Sequence, residues 1–152
     1  HMGTLTHYVA VFADISMIKR SQQEIDYLAH HDPLTKLPNR LLFNERLNTA
    51  IVRASRHITT LGLIFIDLDR FKGINDSLGH SLGDEMLQRV AERVQQVCED
   101  ADTLSRLSGD EFALLVERPV GFDDLSKLAE RIQQLLLEPF ELNGQLIHMT
   151  AV

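Results

Sequence analysis

The chain has 152 residues, of which 44% are hydrophobic and 24% are charged, and its net charge is −7. This composition predicts one soluble α/β-sized domain with a real core, and no apolar run approaches the length of a membrane span. Because the acidic chain has no basic stripe, we expect no nucleic-acid partner, although a nucleotide needs only a local cradle and a metal ion.

The beginning of the chain predicts the tail of a preceding domain and a connector. His1-Met2 is typical of a cloning scar and carries no fold signal. Residues 4–14 alternate in hydrophobicity, which predicts a strand, and residues 16–31 place apolar side chains at roughly heptad spacing, which predicts a helix. Since a lone strand and a lone helix cannot bury themselves, residues 3–30 are expected to end a neighbouring domain. An N-terminal hairpin remnant is the alternative.

Residues 31–40 contain two prolines, which predict a fixed loop, and Asn39 is placed to cap the helix that follows. That helix carries apolar side chains on one side, and we expect it to end near His57. The nearly unbroken apolar run of residues 60–66 then predicts a strand that is covered on both faces.

Asp67 follows this apolar run directly. An acid at the carboxyl end of a buried strand lies where α/β sheets usually place ligands, so Asp67 is a candidate ligand-binding residue. An ordinary strand-ending aspartate is the alternative. Lys72 and the turn amides of residues 68–72 are groups that can receive phosphate oxygens.

A polar segment, residues 73–83, predicts a loop, and residues 84–98 predict a helix with a buried apolar stripe. Cys98 falls at an apolar position of this helix and, as the one cysteine in the sequence, cannot form an internal disulfide. We therefore expect a core thiol, which fits a reducing cytoplasm.

The last quarter of the chain predicts a helix over residues 123–138, which Pro139 ends. Residues 140–142 and 145–152 then predict two strands joined by a turn. The second of these strands is only begun within the sequence.

Residues 106–112 form the most informative stretch. Gly109-Asp110 lies between two apolar-rich runs and fits a two-residue hairpin turn, with glycine at the first central position where φ must be positive. Such a turn places Asp110 and Glu111 side by side at an exposed tip. Adjacent carboxylates repel each other unless a divalent cation or a cationic partner is present. An ordinary acidic turn is the alternative on these residues alone.

Four phrases of the sequence, in this order, resemble the GGDEF domain family, the diguanylate cyclases of bacterial signalling. They are DPLTKLPNR (residues 32–40), DLDRFKGINDSLGH (67–80), GD (83–84) and RLSGDEF (106–112). The resemblance implies an α/β (α+β) fold with a mostly antiparallel central sheet flanked by helices, like nucleotide cyclases and polymerase palm domains. It implies that residues 31–152 form the domain, truncated before its last strand and helix are complete.

The resemblance also implies an activity, the joining of two GTP molecules into cyclic di-GMP with release of two pyrophosphates. Two protomers would face each other, each holding one GTP, so that each 3′-hydroxyl attacks the other's α-phosphorus. Asp110 and Glu111 would be the catalytic residues, and Glu111 would help to deprotonate the 3′-hydroxyl. Together with Asp67 and the backbone carbonyl of Leu68 they would hold Mg²⁺ or Mn²⁺.

The implied substrate site uses the residues that match the family's nucleotide contacts. Lys72 and nearby amides would bind the β- and γ-phosphates, and Asn75 and Asp84 would read guanine, whose edges suit an amide and a carboxylate. The substrate-binding residues that the resemblance implies are Phe71, Lys72, Asn75, Asp84 and Gly109.

Three departures from the family pattern qualify this expectation. Ser108 replaces the first glycine of the signature, which becomes SGDEF. Glu99 stands where the family's product-inhibition site has an arginine, although the aspartate of that site, Asp102, is retained, so no inhibitory site is expected. The chain also ends before the segment in which the family carries basic phosphate-binding residues, so the isolated fragment is expected to be impaired or inactive.

Two other functions are kept as alternatives. A non-catalytic GTP-binding module could regulate an EAL phosphodiesterase domain on the same chain, as the Ser108 variant suggests. The other alternative is a purely structural domain that dimerises and relays a signal, but such a domain would not need the acidic and nucleotide-binding residues. Residues 12–16, followed by Lys19, resemble the exit of a PAS sensor domain. The expected location is the cytoplasm, with any membrane attachment of the parent protein outside these residues.

Overall fold

The computed structural model describes the backbone of residues 2–118 and 121–151, and side chains from residue 15 onward within those ranges. The helices are α1 (Met2–His30), α2 (Arg40–His57), α3 (Phe71–Leu78), α4 (His80–Gln95) and α5 (Phe122–Leu137). The strands are β1 (Gly62–Asp67), β2 (Thr103–Ser108), β3 (Glu111–Val116), β4 (Phe140–Leu142) and β5 (Gln145–Ile147). Every pairing between these strands is antiparallel, in a sheet of order β1-β3-β2 and a β4–β5 hairpin. The predicted fold class is confirmed.

The core lies on both faces of β3, because successive side chains of a strand point to opposite faces. Phe112 and Leu114 pack into a cluster with the buried side of α4, which includes Met86 and Val90. The alternate side chains of β3, among them Leu115, pack against α2. Burying a side chain of this size contributes about 1.5–3 kcal/mol each, so the central strand is fixed from both sides.

Local signals predicted the limits of two helices well. Asn39 caps α2, since its side-chain oxygen accepts a hydrogen bond from the Leu42 amide at 3.1 Å. Helix α2 ends at His57, as predicted, and Ile58 adopts the left-handed conformation with φ 53°. Helix α5 ends before Pro139, which cannot continue a helix.

The strand predicted for residues 4–14 is wrong, because this segment forms the first part of α1. A strand satisfies its backbone groups only beside another strand, whereas a helix pairs them within the segment. The predicted linker helix is present as the rest of α1, and its relation to a PAS-like domain stays a prediction. Within residues 2–118 and 121–151, the helices lack the long apolar window that a bilayer crossing needs. His1 and Val152 lie outside the described residues.

The prediction that the first strand is covered on both faces is also wrong. Strand β1 lies at an edge of the three-stranded sheet. Phe65 on one of its faces is 63% exposed and Leu63 is 39% exposed, whereas Ile66 on the other face is buried. The apolar run reports the character of the side chains, but burial depends on which elements pack against the strand.

Residues 73–83, predicted as a loop, instead belong mostly to α3 and α4, which Gly79 separates with a φ of 87°. Small polar residues favour loops, but here Phe71 is buried and Ile74 packs against the core, which holds α3 as a helix. The predicted last strand is shorter than expected, since β5 ends at Ile147 and Ala151 makes a separate bridge to Leu68.

Candidate functional site

The β2–β3 hairpin has the predicted two-residue turn. Ser108 and Glu111 are the last paired residues, and Gly109 and Asp110 lie between them. Gly109 has a φ of 40°, the positive value expected for glycine at this place. The register shifts between Arg106 and Ser108, so a bulge precedes the turn and re-aims its side chains.

Three candidate residues stand in one row across the sheet. Glu111 pairs with Asp67 on β1 and with Ser108 on β2, and directly opposed residues share a face. The backbone also joins β1 to the turn, since the Leu68 amide donates to the Asp110 carbonyl at 3.3 Å. The strand register therefore places Asp67 directly opposite Glu111 beside the hairpin turn.

The Glu111 carboxylate has two neighbours besides Asp67. The Ser108 hydroxyl donates to Glu111 Oε2 at 2.6 Å. Arg40 at the start of α2 places Nη2 3.7 Å from the same oxygen. Opposed carboxylates destabilise a strand pair, and these two contacts offset part of that repulsion.

The acids offer a divalent cation an incomplete set of ligands. Among the residues described here, no three His, Cys, Asp or Glu side chains lie close enough together to hold a metal ion. Mg²⁺ is usually bound by one or two carboxylates together with substrate phosphates and water, rather than by a complete protein cage. Asp67 and Glu111, placed opposite each other, fit that requirement, with phosphate oxygens supplying the remaining ligands.

Arg106 holds the turn through hydrogen bonds to its backbone. Arg106 donates from Nε and Nη2 to the Gly109 carbonyl at 2.9 and 2.7 Å, and it forms an ion pair with Asp32. Asp32 also accepts hydrogen bonds from the backbone amide and the hydroxyl of Thr35 at 2.7 and 2.8 Å. Burial by itself would raise the pKa of Asp32, but the bonds from Thr35 and Arg106 outweigh it and lower that pKa.

Four of the five predicted substrate-binding residues lie on α3 and α4, and the fifth, Gly109, lies in the β2–β3 turn. Lys72 and Asp84 are exposed, whereas Phe71 is buried, so its ring belongs more to the core than to an open surface. Asn75 is half-buried, and its amide lies against Gly83, where an added Cβ would collide with it. Asn75 and the residue before Asp84 are thus in contact, which brings both predicted guanine contacts to one place.

Residues 99–102, where the family's inhibitory site would lie, are engaged in ion pairs within the chain. Arg118, just after β3, pairs with both Glu99 and Asp102. Asp102 Oδ2 also accepts a hydrogen bond from the Glu99 amide at 2.9 Å. Burial raises the pKa of Asp102. The neighbouring Cys98 was predicted as a core thiol of a helix, but it lies after the end of α4 and is only half-buried against the core. Burial raises the pKa of its thiol to about 11, so the thiol is protonated at neutral pH.

Sequence reasoning did not assign a role to Arg106, Asp32 or Arg40, and it did not find the Ser108–Glu111 contact. Both Asp32 and Arg106 lie inside the phrases that carry the family resemblance, which was an available signal. Their contact joins residues 74 positions apart, so only the fold reveals it.

Comparison with known proteins identifies the family of this chain. Residues 29–152 match the family model described as diguanylate cyclase, GGDEF domain. The chain is 41% identical over 136 residues to the bifunctional diguanylate cyclase/cyclic di-GMP phosphodiesterase MucR of Pseudomonas aeruginosa, covering 88% of this chain and 19% of MucR. It is 44% identical over 115 residues to the diguanylate cyclase TpbB of the same species (strain UCBPP-PA14), covering 76% and 26%. The cyclic di-GMP phosphodiesterase NbdA, also from P. aeruginosa, is 36% identical over 141 residues, covering 93% of this chain and 18% of NbdA.

Solved structures give the same result for the fold. The GGDEF domain of P. aeruginosa TpbB superposes with a TM-score of 0.78 at 40% identity, covering 80% of this chain and 72% of that one. The coiled coil and GGDEF domain of DgcB from Caulobacter crescentus, in complex with c-di-GMP, gives 0.86 at 24% identity, covering 96% and 78%, which shows likeness of fold alone. The chain spans between 18% and 26% of the length of the three curated relatives described above.

Proposed function

This chain belongs to the GGDEF domain family, and on that basis we propose that it is the cyclase domain of a longer signalling protein, here termed the parent protein. The parent protein condenses two GTP molecules into cyclic di-GMP and two pyrophosphates. The observation that carries the proposal is the opposition of Asp67 and Glu111 across β1 and β3, beside a turn that carries Asp110. A relay between domains would not need carboxylates opposed in this way.

The chemistry requires an activated hydroxyl and a charged leaving group. The 3′-oxygen of one GTP bonds to the α-phosphorus of the other, and the bond from that phosphorus to the bridging oxygen breaks to release pyrophosphate. Glu111 accepts the proton of the 3′-hydroxyl. The family resemblance assigns Mg²⁺ or Mn²⁺ to Asp67, Asp110, Glu111 and the Leu68 carbonyl, which would hold it together with substrate phosphates, and the ion would neutralise charge on the triphosphate.

Residues of α3 and α4 bind the rest of the nucleotide. The exposed ammonium of Lys72 pairs with the β- and γ-phosphates, and Gly109 lets the nucleotide pass close to the turn. The Asn75 amide nitrogen donates to the O6/N7 acceptor edge of guanine, and Asp84 accepts from the N–H groups on its other edge. Adenine would present an acceptor to the Asp84 carboxylate, so the pair favours GTP over ATP. Phe71 supports this surface from within the core.

Each protomer holds one GTP, so the reaction requires two copies of the domain that face each other. We propose a homodimer, and α1 supports it with apolar side chains that stay exposed. Ile18 is 66% exposed, Ile25 61% and Leu28 53%, at the heptad-like spacing of a helix–helix seam. A PAS-like sensor before the domain and an EAL domain after it are further proposals. The bifunctional relative MucR supports the second of these, and a GTP-using domain belongs in the cytoplasm.

A second function is favoured by a specific observation. Ser108 stands where the family has glycine, and its hydroxyl donates a hydrogen bond to Glu111 Oε2. One similar protein is the cyclic di-GMP phosphodiesterase NbdA. A non-catalytic domain that binds GTP and regulates a neighbouring EAL domain is consistent with both.

Product analysis of the parent protein incubated with GTP and Mg²⁺ separates the two functions. The cyclase proposal predicts cyclic di-GMP and two equivalents of pyrophosphate. GTP binding without any product would favour the regulatory module. Absence of both binding and product would refute each of them.

A further inference from the structure

We propose that Ser108 is a positioning residue, which orients the Glu111 carboxylate for a divalent cation; the inference rests on the proposed function. The Ser108 hydroxyl donates to Glu111 Oε2 at 2.6 Å, a distance typical of a hydrogen bond to an ionised carboxylate. The two residues are direct partners where β2 and β3 meet the turn. The serine therefore acts on Glu111 in addition to filling the place of a glycine.

Packing alone does not hold the Glu111 side chain. Its side chain is 50% exposed, and glutamate has several rotamers in such a setting. Arg40 lies 3.7 Å from Oε2, but its own side chain is 60% exposed and long, so this contact is a loose one. The short bond from the hydroxyl is the contact that selects one orientation.

Glu111 lies on the central strand β3, so it has a pairing partner on each side, and its orientation bears on both. Ser108 stands on the β2 side of Glu111, and Asp67 stands on the β1 side. A hydroxyl that binds Oε2 holds the Glu111 carboxylate in one orientation on the strand position opposite Asp67, where the two acids would be available to a divalent cation when one is bound. Carboxylates that bind metals are commonly held by such an outer hydrogen bond, and losing it typically weakens metal affinity about 10- to 100-fold.

The direct test is a titration with Mn²⁺ of the 152-residue chain saturated with a non-hydrolysable GTP analogue, whose phosphates supply the remaining ligands. Free Mn²⁺ is followed by electron paramagnetic resonance, with the analogue alone as the blank. Ser108→Ala should bind Mn²⁺ at least about 10-fold more weakly than the wild type. Ser108→Thr keeps a hydroxyl and should bind close to wild type. Ser55→Ala removes an exposed hydroxyl on α2, outside the site, and should change nothing.

A second readout needs no metal. In protein labelled with ¹³C-glutamate, the side-chain carboxyl resonance of Glu111 is identified by its loss in Glu111→Gln. Loss of the hydroxyl should shift this resonance in Ser108→Ala, but the Ser55→Ala spectrum should match the wild type. An unchanged Glu111 resonance in Ser108→Ala would show that the hydroxyl does not hold this carboxylate and would overturn the proposal.

The outcomes are separable from those of the cyclase proposal. Equal or tighter Mn²⁺ binding by Ser108→Ala, or no saturable Mn²⁺ binding by the wild type, overturns the role of Ser108. Cyclic di-GMP formation with unchanged Mn²⁺ affinity in Ser108→Ala refutes this role alone. Weaker Mn²⁺ binding in Ser108→Ala, with no product from the parent protein, refutes the cyclase proposal and supports the role.

Discussion

Arg106 donates from Nη1 to both carboxylate oxygens of Asp32, at 3.0 and 3.1 Å. The two side chains are only 14% and 16% exposed, so the pair is more strongly coupled than a surface ion pair. Because Arg106 also holds the Gly109 carbonyl, one side chain joins the loop after α1 to the turn that carries the acids. The geometry of that turn depends on Asp32.

Asp32→Ala should destabilise the chain by about 2 kcal/mol, since it removes hydrogen bonds to a charged partner and leaves the partly buried Arg106 without its carboxylate. Urea unfolding of the 152-residue chain measures this difference. Glu130→Gln changes an exposed acid on α5 and should have little effect. If the free energy of unfolding falls no more in Asp32→Ala than in Glu130→Gln, the Arg106–Asp32 pair does not stabilise the fold as described.

The same pair predicts a pH dependence. Hydrogen bonds from Thr35 and Arg106 lower the pKa of Asp32 in the folded state, although burial opposes them. The unfolded chain therefore takes up this proton at higher pH, so the contribution of Asp32 is present above its ordinary pKa of about 3.9 and is lost as pH falls through the lowered folded value. The stabilities of the wild type and Asp32→Ala should converge in acid, and a constant gap would count against this explanation.

Gly83→Ala should weaken GTP binding, because the new Cβ would collide with the Asn75 amide. Displacing that amide from guanine removes a hydrogen bond, which corresponds to about 10-fold in affinity. Alanine also favours the helix, so the effect on stability is partly offset and calorimetry with GTP is the better measurement. Gly73→Ala is the matched control, since a Cβ there meets nothing within 4 Å. Unchanged affinity in Gly83→Ala would place guanine elsewhere.

Asp84→Asn should reduce GTP affinity by ~10- to 100-fold. The substitution turns one of two acceptors into a donor, so a guanine N–H loses its partner, and an unpaired polar group costs about 1–3 kcal/mol. Asp84 is exposed, so the fold should not change. Calorimetry with GTP, and with ATP as the control ligand, measures the selectivity, which must fall if Asp84 reads the base.

Cyclic di-GMP should not bind at Glu99–Asp102. Arg118 already pairs with both acids, and a glutamate in place of an arginine reverses the sign of a phosphate contact. Titration of the chain with cyclic di-GMP should show no site there. A micromolar complex that is lost in Asp102→Ala would show this prediction to be wrong.

Local sequence signals predicted the elements whose limits are set locally. Gly109 marks the hairpin turn, Asn39 caps α2, and Pro139 follows the end of α5. Elements that depend on distant neighbours were predicted less well. Phe65 looks like a core residue in the sequence but lies on an edge strand with one open face. The first part of α1 alternates like a strand but forms a helix, and among the described residues it pairs with no strand.

The candidate site shows the same division. Asp110 and Glu111 could be found from the turn itself, and Asp67 from the end of an apolar run. The hydroxyl contact of Ser108 and the Arg106–Asp32 pair could not, because they depend on side-chain directions after the hairpin and the first loop have come together. Motif spacing therefore identified the acids but not the groups that hold them.

If Glu111 takes part in the condensation of GTP, the rate of cyclic di-GMP formation by the parent protein must depend on its carboxylate, and Glu111→Ala measures that dependence. Glu111 is half exposed at a turn, so the change should cost little stability, and circular dichroism together with urea unfolding checks this. Glu130→Ala, on the exposed side of α5, is the matched control. A catalytic role of Glu111 predicts that product formation is abolished in Glu111→Ala and kept in Glu130→Ala. Wild-type turnover in Glu111→Ala would contradict that role.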